Sequence, residues 1–199
     1  MRAIPRSRYL LFAGIAVAGT IADLASKSWI FERLWPGTRS WPPPHDVIEI
    51  WPGYIELEVS LNQGALFGIG QGLVWLFATL SVVALVGIAY WLFWLGEARN
   101  LWLCIALAGV TAGILGNLYD RLALHGMMWP PLHPELASEP IFAVRDWILL
   151  RYGEHRWPNF NIADSLLVCG AIMIAIEGIR DFRSSGNSDS HDIDASESP

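Results

Sequence analysis

Asp146, in Ala143-Val-Arg-Asp-Trp147, and Asp164, in Phe160-Asn-Ile-Ala-Asp-Ser165, stand eighteen positions apart. Asp164 opens an otherwise apolar stretch, and Asp146 lies in the polar segment before it. A carboxylate at a bilayer boundary is costly, so its default reading is functional. Two that meet can hydrolyse a bond: one takes a proton from water and the other protonates the leaving group. Close like charges do not both ionise easily, so such a pair shares one proton and titrates as a unit. Each residue also has an ordinary reading. Asn161 and Asp164 have the spacing of a helix N-cap and its third residue, where the helix dipole favours a carboxylate. Asp146 taken alone is a solvated loop charge.

The elements that must position these residues are written in the composition. Of 199 residues, 53% are hydrophobic and 16% charged, too apolar for an ordinary soluble domain. Four segments are long enough to span a bilayer, about 9–30, 72–95, 100–119 and 162–179. Trp29, Trp75, Trp91, Trp94 and Trp102 sit near the ends of apolar runs, where a bilayer interface places them. The expected fold is an all-α membrane protein with four transmembrane helices. Arg2, Arg6 and Arg8 ahead of an apolar run also resemble a signal peptide. The run continues through Asp23 and Lys27, which at i,i+4 spacing share a helix face and can pair. That pairing argues for a segment that stays and packs inward.

Net charge is −6, yet Asp189, Asp192, Asp194 and Glu197 lie in the 184–199 tail, and without them it is −2. The tail reads as disordered and acidic, and nothing suggests nucleic-acid binding. Cys104 and Cys169 fall in apolar segments and read as packing residues. Four spans put both termini on one side. The uniformly basic N-terminal flank places that side in the cytoplasm, so that loops 31–71 and 123–160 face outward. Between Val47 and Leu61 the pattern alternates, with Ile55, Leu57, Val59 and Leu61 on one face and Glu56, Glu58 and Ser60 on the other. Trp51-Pro-Gly53 supplies a turn, so this reads as a small extracytoplasmic β-hairpin or sheet element whose apolar face rests on the membrane surface or the helix ends. The segment from Ile141 to Leu150 is extended. Gly109, Ala112, Gly113 and Gly116 make a small-residue face for close helix contact.

Four polar motifs fall at the outward ends of these helices: Asp23-Leu-Ala-Ser-Lys27, Asn62-Gln-Gly-Ala-Leu-Phe-Gly68, Gly116-Asn-Leu-Tyr-Asp-Arg121 and Phe160-Asn-Ile-Ala-Asp-Ser165. In this order they closely resemble the lipoprotein signal peptidase family, also called signal peptidase II, over roughly residues 8–182. The resemblance implies an aspartic endopeptidase of the bacterial inner membrane. It would cleave signal peptides from diacylglyceryl-modified prolipoproteins, before the lipidated cysteine, in a single domain over 1–183. It implies Asp146 and Asp164 as the catalytic pair. It leaves Asp23, Lys27, Asn62, Gly64, Asn117, Asp120, Arg121, Asn161 and Ala163 to support the site or bind substrate. Asn62 and Arg121 are expected to hydrogen-bond the substrate backbone, Asn117 and Asn161 to orient the carboxylates, and Asp23 with Lys27 to brace the first helix. No cofactor is needed, because two carboxylates and water suffice. The expected partners are the prolipoproteins and membrane lipids, with the enzyme as a monomer.

The chain departs from the family in three places. Val144-Arg-Asp146 stands where Val-Val-Asp is usual, and on a strand Arg145 points away from Asp146. The stretches 34–46 and 123–143 are long, and Met127-Met-Trp129 is expected to extend a cover over the site and touch lipid or substrate. His125, His133, His155 and Glu135 have no metal-ligand spacing. An alternative use of intramembrane carboxylates, a small transporter or proton relay, calls for paired interrupted helices or an internal repeat, and the sequence has neither.

Overall fold

The computed structural model of the chain describes residues 3–36, 46–64, 70–133 and 135–196. Residues 37–45 of the first long loop and 65–68 of the Asn62–Gly68 motif therefore lie outside the described residues. Four long helices alternate with short strands. They are α1 (Arg6–Leu34), α2 (Val74–Ala89, prolonged by a π-helical turn over Tyr90–Trp94), α3 (Leu101–Arg121) and α4 (Ile162–Ser196). Each contains a stretch long and apolar enough to cross a membrane. Their exposed faces carry Val17, Ile21, Leu80, Val83, Val86, Ile172 and Ile176, an apolar outer surface suited to lipid. α4 runs on as helix past Arg180 into the segment that the sequence reads as a disordered tail.

α1, α3 and α4 pack through small residues. A methyl group on Gly113 would come 2.5 Å from the Ala163 carbonyl oxygen, and one on Gly116 would strike the Asp23 carboxylate. The small-residue face of α3 thus lets α4 and a charged side chain of α1 reach its backbone. At the end where α1 begins, Asn100 caps α3, its Oδ1 accepting from Leu103 N at 3.1 Å, and donates to Glu177 Oε1 of α4 at 2.5 Å.

At the other end sits a four-stranded antiparallel sheet in sequence order, β1 (Val47–Trp51), β2 (Ile55–Asn62), β3 (Val144–Tyr152) and β4 (His155–Arg156). The β1–β2 hairpin turns at Pro52-Gly-Tyr54, as the sequence indicates. Strict alternation along β2 does not hold. A register irregularity between Leu57 and Ser60 breaks it, and Glu56 is buried against Arg151, 2.8 Å away. The apolar face rests on a helix end: Leu57 and Val59 pack with Ile30, Phe31, Leu34 and Trp35. Trp129 and Ile141 of the long 123–143 stretch join the same core, so that of Met127-Met-Trp129 only Met128 is exposed. The insert is largely a wall of the core rather than a free cover.

Candidate active site

The sequence folds Asp146 and Asp164 together by doubling back. β3 carries Asp146, Gly153 turns with a positive φ of 57°, and the chain returns along the same strand. Trp157 N donates to Leu150 O, Trp147 N and Ile148 N donate to Phe160 O, and Phe160 N donates to Ile148 O, all within 3.1 Å. The next residue, Asn161, therefore lies beside Asp146 as α4 begins. Its side-chain Nδ2 donates to Asp146 Oδ1 at 2.6 Å, while its Oδ1 accepts from Asp164 N at 2.9 Å. Asp164 Oδ2 accepts in return from Asn161 N at 3.3 Å, which completes a reciprocal helix cap. Capping and carboxylate placement are one arrangement. Asn117 Nδ2 donates to the other oxygen, Asp164 Oδ1, at 2.8 Å, and Asn62 Nδ2 donates to Asp146 Oδ2 at 3.2 Å. All four oxygens of the pair thus face fixed amides. Asp146 is buried and Asp164 half-buried.

Behind this pair lies a fully buried set of charges. Lys27 Nζ reaches Asp23 Oδ2 at 2.7 Å, Asp120 Oδ2 at 3.2 Å and Asn117 Oδ1 at 3.0 Å. Asp23 does more than brace its own helix. Its Oδ1 accepts from Ala163 N at 2.9 Å, capping α4 from α1. Asp120 pairs with Lys27 and Arg145 rather than with its neighbour Arg121. Arg145 donates to Asp120 Oδ1 from Nε at 3.0 Å and from Nη2 at 2.8 Å, and its backbone N donates to Asp120 Oδ2 at 3.0 Å. Two cations and two anions here sum to zero, which a buried cluster requires.

Arg121 faces the other side. Its guanidinium lies 5.6 Å from the Phe77 ring centroid, and Nη2 donates to Gly64 O at 3.2 Å. Gly64 N in turn donates to Asn62 Oδ1 at 2.9 Å, so Asn62, Gly64 and Arg121 form one connected rim. Two clefts meet at Pro158 and Asn159. A polar one of about 130 Å³ opens on Asp146 and is lined by Ser60, Asn62 and Gln71. An apolar one of about 370 Å³ opens on Asp164 and is lined by Leu150, Trp157, Phe160, Val168 and Cys169.

The family model described as Signal peptidase (SPase) II matches residues 15–180. The chain belongs to the signal peptidase II family. It is 47% identical to a lipoprotein signal peptidase of Rhodopirellula baltica, over 88% of this chain and 74% of the relative. It is 31% identical to one of Xanthomonas campestris, over 87% of this chain and 89% of the relative. Two solved structures of bacterial membrane enzymes obtained by the in meso method align with it. One is at 2.3 Å resolution, with TM-score 0.66, 27% identity and coverage of 86% of this chain and 88% of that one. The other is at 1.9 Å, with TM-score 0.64, 28% identity and coverage of 85% and 93%. As a signal peptidase II, the chain is a multi-pass membrane peptidase that processes lipoproteins.

In this signal peptidase II the electrostatics of Asp146 follow from its surroundings. Burial, then the nearby Asp164 charge, push its carboxyl up to about 8, against the bonds from Asn62 and Asn161. The native state therefore holds a proton that the unfolded chain releases near pH 4. This contribution to stability is fully present below pH ~4 and is lost as pH rises through ~8. The Tm of the detergent-solubilised protein minus that of Asp146→Asn should fall steadily from pH 5 to pH 8. A difference that is flat or rises over that range contradicts the assignment. His125 moves the opposite way. Burial pushes it down to about 4, and its Nδ1 accepts from Met127 N at 3.0 Å, so it is a neutral residue that organises a turn.

Every described site residue named from sequence reaches this cluster. Sequence reading missed the partner of Arg145, the lining residues Gln71 and Asn159, and Ser28, which accepts from Arg145 Nη1 at 3.3 Å. Alternation along β3 is enough to turn Arg145 away from Asp146, but no local signal points to Asp120.

Proposed function

We propose that this signal peptidase II is an intramembrane aspartic endopeptidase. It removes the signal peptide of a diacylglyceryl-modified bacterial prolipoprotein by cutting before the lipidated cysteine. The observation that carries the reading is Asn161, whose side chain donates to the Asp146 carboxylate while its backbone N–H donates to the Asp164 carboxylate. Asp146 and Asp164 share one proton at neutral pH, so that one carboxyl is protonated and the other ionised. A water between them loses a proton to the ionised carboxylate and attacks the scissile carbonyl, and the protonated carboxyl serves the leaving amine. The Asn62, Gly64 and Arg121 rim holds the substrate backbone beside the polar cleft.

The protein acts as a monomer in the inner membrane among its lipids, with both termini cytoplasmic and the site toward the extracytoplasmic face. One observation bears on the site's placement: every site residue lies at the helix ends that carry the sheet, so the site and the sheet share one face, and the basic N-terminal flank assigns the opposite face to the cytoplasm. The test uses purified protein in detergent with a diacylglyceryl-modified prolipoprotein and with its unmodified precursor. Mass spectrometry should find a new N-terminus at the lipidated cysteine and no cleavage of the unmodified precursor. Equal cleavage of both, or a different N-terminus, overturns the reading.

A further inference from the structure

Arg145 sits one residue before Asp146 on β3, and its side chain leaves the strand on the opposite face. It is buried, with its guanidinium 6.0 Å from the Phe31 ring centroid and Nη1 on Ser28 of α1. Its fork closes on Asp120 of α3 from Nε and Nη2, while Asp120 also accepts the Arg145 backbone N–H. One carboxylate thus grips both the side chain and the main chain of the residue adjoining Asp146. The same carboxylate holds Lys27, Lys27 holds Asn117 Oδ1, and Asn117 donates to Asp164. Two guanidinium N–H groups closing on the one oxygen, Oδ1, fix direction in a way that a point charge does not.

We propose that Arg145 is a positioning residue for the reaction. Its fork onto Asp120 fixes the β3 backbone beside Asp146 and, through Lys27 and Asn117, the orientation of Asp164. The inference rests on Asp146 and Asp164 being the reacting pair. Cleavage by the unaltered enzyme and its absence in both Asp146→Asn and Asp164→Asn establish that separately.

The test compares Arg145→Lys, Arg145→Met, Asp120→Asn and Arg145→Met with Asp120→Asn, each checked for folding by its Tm in detergent. Arg145→Lys keeps the charge and loses the fork. Its kcat should fall about tenfold with KM within about twofold. Arg145→Met leaves Asp120 short of a cation and should fall about a hundredfold. Adding Asp120→Asn restores charge balance and should recover at least about fivefold over Arg145→Met. The proposal is overturned if folded Arg145→Lys keeps its kcat within about twofold, or if the loss lies wholly in KM. It is overturned equally if the effects at positions 120 and 145 simply multiply. Should Arg145→Met fail to fold, the kcat of Arg145→Lys decides alone.

Discussion

Asp164→Asn and Asp146→Asn should each lower turnover of a modified prolipoprotein by about a thousandfold or more. The two exchanges remove different halves of one device, so the double exchange should be no worse than either single one. The fold should survive. Each carboxylate accepts bonds at both oxygens, and an amide can accept at only one. Asp146→Asn gives up the bond from Asn161 or from Asn62, and Asp164→Asn gives up the one from Asn117 or from Asn161 N. That loss is about 1 kcal/mol, far short of a thousandfold effect on rate. The measurement is single-turnover cleavage alongside Tm in the same detergent. Substantial turnover by Asp146→Asn removes that residue from the pair. Collapse of the Tm in both variants assigns the aspartates a structural role instead.

Lys27→Met should have the largest effect on stability. The ammonium is wholly buried and neutralises Asp23 and Asp120 while holding Asn117. Methionine fills similar space but leaves Asp23 without its cation. Removing one partner of a buried pair costs about 3–5 kcal/mol, because the other charge stays buried and unpaired. Asp23 also caps α4 through Ala163 N, so the start of the helix that bears Asp164 should loosen with it. A sharp drop in Tm and loss of cleavage are expected. Lys27→Met combined with Asp23→Asn should recover part of the Tm, because the orphaned charge is gone. A Tm for Lys27→Met within a degree or two of the unaltered protein would count against a buried ion cluster.

Much of this architecture is visible along the chain because its causes are local. Twenty-residue apolar runs are spans wherever they fall, since a bilayer requires each helix to satisfy its own backbone. Asp23 and Lys27 pair because i,i+4 neighbours share a face, and they do so at 2.7 Å. The Asn161–Asp164 cap depends on spacing alone and is present. The hairpin turn after Trp51 is where Pro52-Gly53 puts it. The motif set also named the residues that gather around the aspartates, since the family pattern carries them as a group.

Contacts between distant segments were not legible. β2 and β3 pair across more than eighty residues, and nothing in either strand names the other. The break in register near Ser60 cannot be inferred from a regular alternation, yet it sets Ser60 opposite Asp146. Met127-Met-Trp129 reads as an extension of a cover over the site because the stretch that holds it is long. The apolar end of α1 and the sheet above it give Trp129 a place to bury, which only the packed molecule reveals.

The sequence by itself determined four spans, a polar cluster at one end of them and two aspartates whose cost demanded a use. Those properties follow from periodicity, hydropathy and short-range spacing. The tertiary structure decided the partners. Asp120 goes to Lys27 and Arg145 instead of to Arg121, Asp23 reaches across to cap α4, and Asn161 touches both aspartates. Buried charges must be neutralised by whatever lies within a few ångströms, and what lies there is set by how the helices and the sheet meet.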